Sequence, residues 1–495
     1  MFLLLNWCCC FKLTGLFSKS FELYAMKRKI FRKKSIEELL EVSSGEKGLK
    51  RVLGPIGLLM MGIGTIIGAG IFILTGIASA YYAGPAIIIS FLISGIACLF
   101  TALCYAEFAT MIPVAGSVYT YSYVTLGEIW AWIIGWDLVL EYLVIVAAVA
   151  IGWSNYFVEI FSSIGIILPG ALVNPPGVGG GIINLPAVLI VFLIMSLLII
   201  GVRESSHFNT AIVLIKLSVL TLFIAIGIYH INPSNYNPFF PYGFIGVFKG
   251  AAIIFFAYIG FDALTTAAEE VKNPQRTLPI AIIGSLIISS ILYIVVALVL
   301  NGILPYSAFK ETAAPIAFAL QNIGIDWAST VISIGAICGI TSVLLVGLFG
   351  QTRVFFAIAR DGLLPGIFAK IHGKYNTPVI GIAVIGFIGA TIAAFVPITD
   401  VVQLVNIGTL AAFIIVSFAV IILRKTQPDI QRPFKTPLVP VIPAIAIIFC
   451  ILLVFELPTI TQLRFIIWLA IGLVIYYFYG RHKSYLNKKD INEED

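Results

Sequence analysis

Apolar runs recur along this chain from residue 54 to residue 480, each close to the length of about 20 residues that a helix needs to cross a hydrocarbon core of roughly 30 Å. A transmembrane barrel would instead show stretches of about 10 residues with alternating polarity. Twelve segments are read as spans, at 54–80, 84–111, 128–159, 185–202, 209–231, 244–272, 278–301, 327–358, 378–396, 402–423, 438–456 and 462–480. Composition agrees. Only 11% of the 495 residues are charged, against roughly 25% in soluble domains, so a water-soluble globular enzyme is excluded. The 60% hydrophobic content excludes disorder. The expected fold class is an all-α polytopic membrane protein.

Lys and Arg set the orientation. With both termini cytosolic, 26 of the 30 basic residues fall on the inner side, Lys249, Lys310 and Arg464 fall outside, and Lys216 falls within segment 5. This satisfies the positive-inside rule, and the inverse orientation violates it. The net charge of +6 is therefore a matter of topology and calls for no nucleic acid. The opening MFLLLNWCCCF is too short to span, and no small-residue cleavage site follows it, so it is not read as a signal peptide. Residues 1–25 are expected to be dispensable, because Met26 opens a basic stretch suited to lead into segment 1. The outer loop 160–184, with its NPPGVGGG run, reads as irregular. The seven cysteines are odd in number and lack zinc-ligand or redox spacing, so neither a metal nor a disulfide framework is expected.

Segment positions repeat. Segment 6 begins 190 residues after segment 1, segment 7 begins 194 after segment 2, and segment 10 ends 192 after segment 5. Segments 3 and 8 are the longest of their units. Five is odd, so the second unit enters the membrane from the opposite side, which gives 5 + 5 inverted repeats with segments 11 and 12 appended. The expected divisions are a basic lead-in at 1–50, repeats at 51–235 and 236–425, segments 11 and 12 at 426–480, and a tail at 481–495.

The first segment of each unit carries the break signal. Segment 1 contains four glycines in nine residues, Gly62, Gly64, Gly68 and Gly70, each costing a helix about 1 kcal/mol relative to alanine. Segment 6 contains FFAYIGFD at 255–262, with an acid at membrane depth. Glycine-interrupted segments at matching positions of two halves point to a midplane binding site. A broken helix leaves N–H groups free on one half and C=O groups free on the other, favouring an anion at one end and a cation at the other. An α-amino acid suits two such breaks. Its carboxylate is expected on the Gly68, Ala69 and Gly70 amides. Its ammonium is expected on carbonyls near Ile66 and Ile67 and on the segment holding Phe256, Ala257 and Ile259, with Phe256 as an aromatic lid.

Lys216, in AIVLIKLSVL, lies seven residues past Asn209. A charge at the bilayer centre costs about 2.5–3.5 kcal/mol on insertion scales. Snorkelling would explain it. The functional reading places the ammonium between segments 1, 5 and 8, against carbonyls near Gly68 and against Thr341 or Ser342, where gain and loss of its proton would couple transport to protons without sodium. Glu141 lies deep in segment 3 and is expected either to line the site or to sit buried and protonated. Asp262 is expected to cap the second half of segment 6 rather than to touch substrate. Glu107 and Asp137 are expected to be structural, and Glu269, Glu270 and Lys272 to form exposed or gating ion pairs.

Five motifs extend this reading: GIGTIIGAGIFILTG at 62–76, YAEFATMIPVAGSVYTY at 105–121, GWDLVLEY at 135–142, FFAYIGFDALTTAAEEVKNPQRTLP at 255–279 and GQTRVFFAIARDGLLP at 350–365. With them the chain resembles the amino acid–polyamine–organocation superfamily, and within it the cationic amino acid transporters and their bacterial proton-coupled relatives. The resemblance implies substrate bound at the breaks of segments 1 and 6, and a segment-5 lysine, here Lys216, replacing a sodium ion. Twelve spans rather than fourteen favour a bacterial member. The function expected is secondary active, proton-coupled, sodium-independent amino acid transport in the cell membrane, without a cofactor. The alternatives are an amino acid exchanger or a polyamine or other organic-cation transporter. An enzyme is not expected: His207, His230, His372 and His482 do not pair at helical spacing. A channel would need a polar stripe, and none is visible.

Overall fold

The computed structural model describes residues 32–36, 53–114, 116–200, 206–373, 375 and 377–487. The 1–25 extension and the Glu269 side chain lie outside what is described. Backbone at lipid depth must satisfy its own polar groups, and it does so here with helices. Among the described residues eight stretches are long and apolar enough to cross a membrane. Pro55–Met111 holds segments 1 and 2, which part at a turn over Gly84–Ala86 where Gly84 takes a positive φ. Segment 3 is Glu128–Ser163, segment 5 Ser206–Gly227, segment 7 Pro274–Ile303, segment 8 Asp326–Arg360 and segment 10 Ile398–Thr426. Segment 6 runs within Gly243–Thr266 and segment 12 within Thr459–Lys483. Three shorter apolar helices, Leu185–Ile200, Val379–Phe395 and Val441–Glu456, hold segments 4, 9 and 11. The chain is thus a polytopic helical membrane protein.

Two connections carry helix, the second in a loop that the sequence reads as irregular. A buried helix, Ser117–Thr125, follows segment 2. The 160–184 connection contains a short helix, Gly170–Val173, and is tied down where the Asn184 N–H donates to the Ala394 carbonyl at 3.0 Å.

Segment 3 occupies the centre. Small residues let neighbouring helices approach closely, as is usual where lipid supplies no hydrophobic drive between helices. A Cβ on Gly389 of segment 9 would lie 2.8 Å from Val146, and one on Gly152 of segment 3 would lie 2.9 Å from the Ala69 methyl. Segment 12 is fastened to segment 3 by tryptophans: Trp136 and Trp468 stack at 4.5 Å, and each indole N–H donates to the other residue's carbonyl, at 2.9 and 3.0 Å.

The end that carries the lead-in is closed by charge. Glu107, almost fully buried, accepts two bonds from Arg424, at 2.9 and 2.8 Å, and one from the Thr436 N–H at 2.8 Å, and its Oε1 lies 3.3 Å from Arg432. That is the structural role expected of it. Lys34 of the lead-in pairs with Asp361 at 2.7 Å, and the Tyr119 hydroxyl donates to the other Asp361 oxygen at 2.7 Å. Arg353 and Glu270 form a partly exposed pair at 3.5 Å.

Candidate functional site

Both breaks lie where the glycines and the FFAYIGFD run put them. The first helix of segment 1, Pro55–Ile66, ends as Ile67 turns to an extended ψ of 100°, and helical winding resumes with a wide turn at Gly70–Leu74. In segment 6, Gly243–Ile254 tightens into Phe255–Tyr258, opens at Ile259, passes through Gly260 at φ 126° and resumes at Ala263–Thr266. A residue with a side chain rarely adopts that φ.

The two breaks touch. A Cβ on Gly70 would stand 2.6 Å from the Ala257 Cβ, and one on Gly260 would stand 2.9 Å from the Thr65 carbonyl oxygen. The Thr65 hydroxyl lies 3.1 Å from the Gly260 carbonyl, completing a link between them. Ile66, Ile67, Ala69, Gly70, Phe256 and Ala257 are all buried, Gly68 is buried against Val343 of segment 8, and Ile259 is half-buried.

The last carbonyls of a helix lack intrahelical donors, and here side chains supply them. In segment 1 the Ile67 N–H takes the Ile63 carbonyl. Lys216 Nζ donates to the Gly64 carbonyl at 2.7 Å and to the Ile67 carbonyl at 3.1 Å. The Tyr293 hydroxyl of segment 7 lies 2.8 Å from the Ile66 carbonyl and 2.9 Å from the Ala257 carbonyl. In segment 6 the Asn406 Nδ2 of segment 10 donates to the Ala252 and Ile253 carbonyls at 2.7 and 3.1 Å. Several carbonyls expected to await an ammonium therefore already have a donor, although each oxygen retains a second lone pair.

Lys216 is fully buried, so it does not snorkel. Its stem lies along Gly339 of segment 8, where a Cβ would sit 2.8 Å from Lys216 Cγ. The Thr341 and Ser342 hydroxyls turn elsewhere: Thr341 donates to the Ile337 carbonyl at 2.7 Å and accepts from Trp153 Nε1 at 2.9 Å, and Ser342 donates to the Gly339 carbonyl at 3.1 Å. Back-bonding to the preceding turn is the usual resort of a helical hydroxyl in an apolar setting.

The acids also depart in part from expectation. Asp262 does not cap the helix after it; its Oδ1 accepts from the Gly260 N–H at 3.2 Å and so braces the break itself. Glu141 is buried on segment 3 beside Gly408 and close enough to Asp262 to interact electrostatically. Asp137, one turn earlier, is equally buried, and a Cβ on Gly408 would stand 2.8 Å from its Oδ1. Among the described residues neither Asp137 oxygen has a hydrogen-bond partner, nor has Glu141 Oε2.

Tyr293, Asn406, Gly339 and Trp153 escaped the sequence reading. A signal for the first two existed: a lone tyrosine or asparagine inside an apolar helix needs a polar partner when buried.

Comparison with known proteins agrees with this architecture. A family model described as amino acid permease matches residues 53–477. The chain is 51% identical to the branched-chain amino acid permease BcaP of Bacillus subtilis, over 94% of this chain and all of that protein. It is 48% identical to the methylthioribose transporter of the same organism, over 93% of this chain and 99% of that one. It is 38% identical to the vacuolar cationic amino acid transporter 4 of Arabidopsis thaliana, over 81% of this chain and 68% of that one.

Proposed function

The chain belongs to the amino acid permease family, within the amino acid–polyamine–organocation superfamily, and from that premise we propose that it carries α-amino acids across the cell membrane by alternating access, coupled to protons and independent of sodium. It is a transporter and not an enzyme, as are the family and the relatives named above. In this reading the chain crosses twelve times with both termini cytosolic, and 51–235 and 236–425 are inverted repeats. One symmetry supports the repeats. Asn406 follows Lys216 by 190 residues, the offset between segments 1 and 6, and each donates to carbonyls near the end of its unit's first half-helix.

The observation that carries the proposal is the seating of the Lys216 ammonium on the Gly64 and Ile67 carbonyls, 2.7 and 3.1 Å away. A cation there holds segment 1 to segment 5 without a metal ion. The Gly68, Ala69 and Gly70 amides receive the substrate carboxylate, and the carbonyls around Ile66, Ala257 and Ile259 receive the ammonium, beneath Phe256. Glu141 closes the segment 3 side. Lys216 carries the coupling proton, with Thr341 and Ser342 as part of the segment 8 wall beside it.

Segment 8 presents apolar side chains on this side of the breaks. Val343 lies against Gly68. Together with the BcaP relatives in two bacteria, 51% and 37% identical, this favours branched-chain amino acids. A second reading is favoured by the 48% identity to a methylthioribose transporter: a neutral thiosugar, which has no charged ends to place on the breaks.

Uptake into proteoliposomes separates these readings, using leucine, isoleucine, valine, lysine, putrescine and methylthioribose at two external pH values, in sodium or choline chloride. Branched-chain uptake should rise with acid outside and be indifferent to choline. A sodium requirement, or uptake of methylthioribose alone, would overturn the proposal.

A further inference from the structure

Segment 7 looks like filler: an apolar helix with scattered serines. Its Tyr293, however, reaches both breaks. The side chain is fully buried, with its ring packed against Phe91 at 5.6 Å and Tyr258 at 5.4 Å between centroids. The hydroxyl lies 2.8 Å from the Ile66 carbonyl and 2.9 Å from the Ala257 carbonyl. These oxygens belong to two different broken helices.

A phenol has one proton to donate, whereas each carbonyl oxygen accepts two hydrogen bonds. One donor therefore serves two acceptors, and both remain short of donors. Tyr293 keeps the pair within one hydroxyl's reach of each other. Carbonyls at the C-terminal end of a helix attract positive charge, and an ammonium brings three donors of its own. The neighbouring acceptors of segment 1 are engaged by stronger donors, the Lys216 ammonium at Gly64 and Ile67.

We infer that Tyr293 is the positioning residue of the ammonium subsite, holding the Ile66 and Ala257 carbonyls side by side and under-bonded so that the substrate's amino group completes them. This rests on the reading of the two breaks as the amino acid site. Tyr293 acts through the carbonyls and is not itself required for the carboxylate end.

The test uses Tyr293→Phe in the full chain, which removes the hydroxyl and keeps the ring. Three probes divide the ligand: L-leucine, isoamylamine, which lacks the carboxylate, and isocaproate, which lacks the amino group. Binding constants are read by calorimetry or by competition with labelled leucine, and unfolding midpoints in detergent check the fold. Leucine and isoamylamine should weaken about tenfold, the scale of one hydrogen bond to a charged group. Isocaproate should stay within about twofold, because its contacts lie on the amides. Equal weakening of all three ligands, as a general loosening would produce, overturns the inference, and so does unchanged leucine affinity. Gly70→Ala separates the two levels: if that variant still binds leucine normally, the breaks are not the site and the underlying reading fails. If it abolishes binding while Tyr293→Phe does not discriminate, only the role of Tyr293 falls.

Discussion

Segments 1 and 6 break in similar ways but are tied differently. Near the end of its first half, segment 1 is held to segment 5 by a lysine ammonium on two carbonyls. Segment 6 is held to segment 10 by the Asn406 amide, again on two carbonyls. An ammonium can lose a proton and with it the charge; an amide cannot. The two ties are alike in geometry and unlike in what can undo them. The difference suggests a division of labour in which segment 1 answers to protons and segment 6 holds its shape.

Three substitutions test that division. The largest effect is expected where the segments touch. Gly70→Ala puts a methyl 2.6 Å from the Ala257 Cβ, closer than real side chains approach, so the breaks cannot meet. Leucine affinity measured on purified protein should fall by at least about 100-fold, the scale of a few kcal/mol of steric conflict. Near-normal binding would remove the breaks from consideration as the site.

Lys216→Gln makes the two ties chemically alike. An amide can still reach one carbonyl, so leucine binding should change by no more than about threefold, as for one buried bond exchanged for another. Accumulation driven by a pH gradient should vanish, because the group whose charge biases the two access states is gone. Lys216→Arg should not restore it, since guanidinium keeps its proton. If the glutamine variant still concentrates leucine against an acid-outside gradient, the carrier lies elsewhere, with Glu141 and Asp137 next in line.

Asn406→Ala acts on binding alone. It removes two donors from segment 6, which should weaken leucine binding by about tenfold. The pH dependence of uptake should keep its shape, because no titrating group has been touched. A displaced pH profile would show that segment 6 also takes part in the proton response and would dissolve the contrast.

The glycine pattern made the break in segment 1 legible, because glycine is costly in a helix, although Gly62 and Gly64 serve close packing instead, against Ser285 and Val213. Depth alone left Lys216 between snorkelling and burial, and the structure buries it. What the sequence withholds is rotation. Thr341 and Ser342 sit at the right height on segment 8, but whether a hydroxyl faces Lys216 or its own helix depends on how segment 8 turns against Gly339, and that is set by packing many residues away. Asp262 shows the same limit in reverse. Its place ahead of a helix suggested a cap, yet the chain turns back at Gly260 and the carboxylate follows it. Tyr293 and Asn406 were hidden for a further reason: their partners are backbone carbonyls, which every residue has and no motif marks.

Four of the seven tryptophans have an optical consequence. Trp132, Trp136 and Trp468 are gathered where segment 12 is fastened, the latter two stacked at 4.5 Å. Trp153 stands apart, stacked on Phe157 at 4.9 Å, with its N–H on Thr341 two residues from the Val343 that faces Gly68. Trp153 is thus set beside segment 8, apart from that cluster and from Trp130 and Trp327, which are exposed. Ligand arrival at the breaks would register as a change in the colour and yield of one indole's emission, against a background set by the others, with no dye attached.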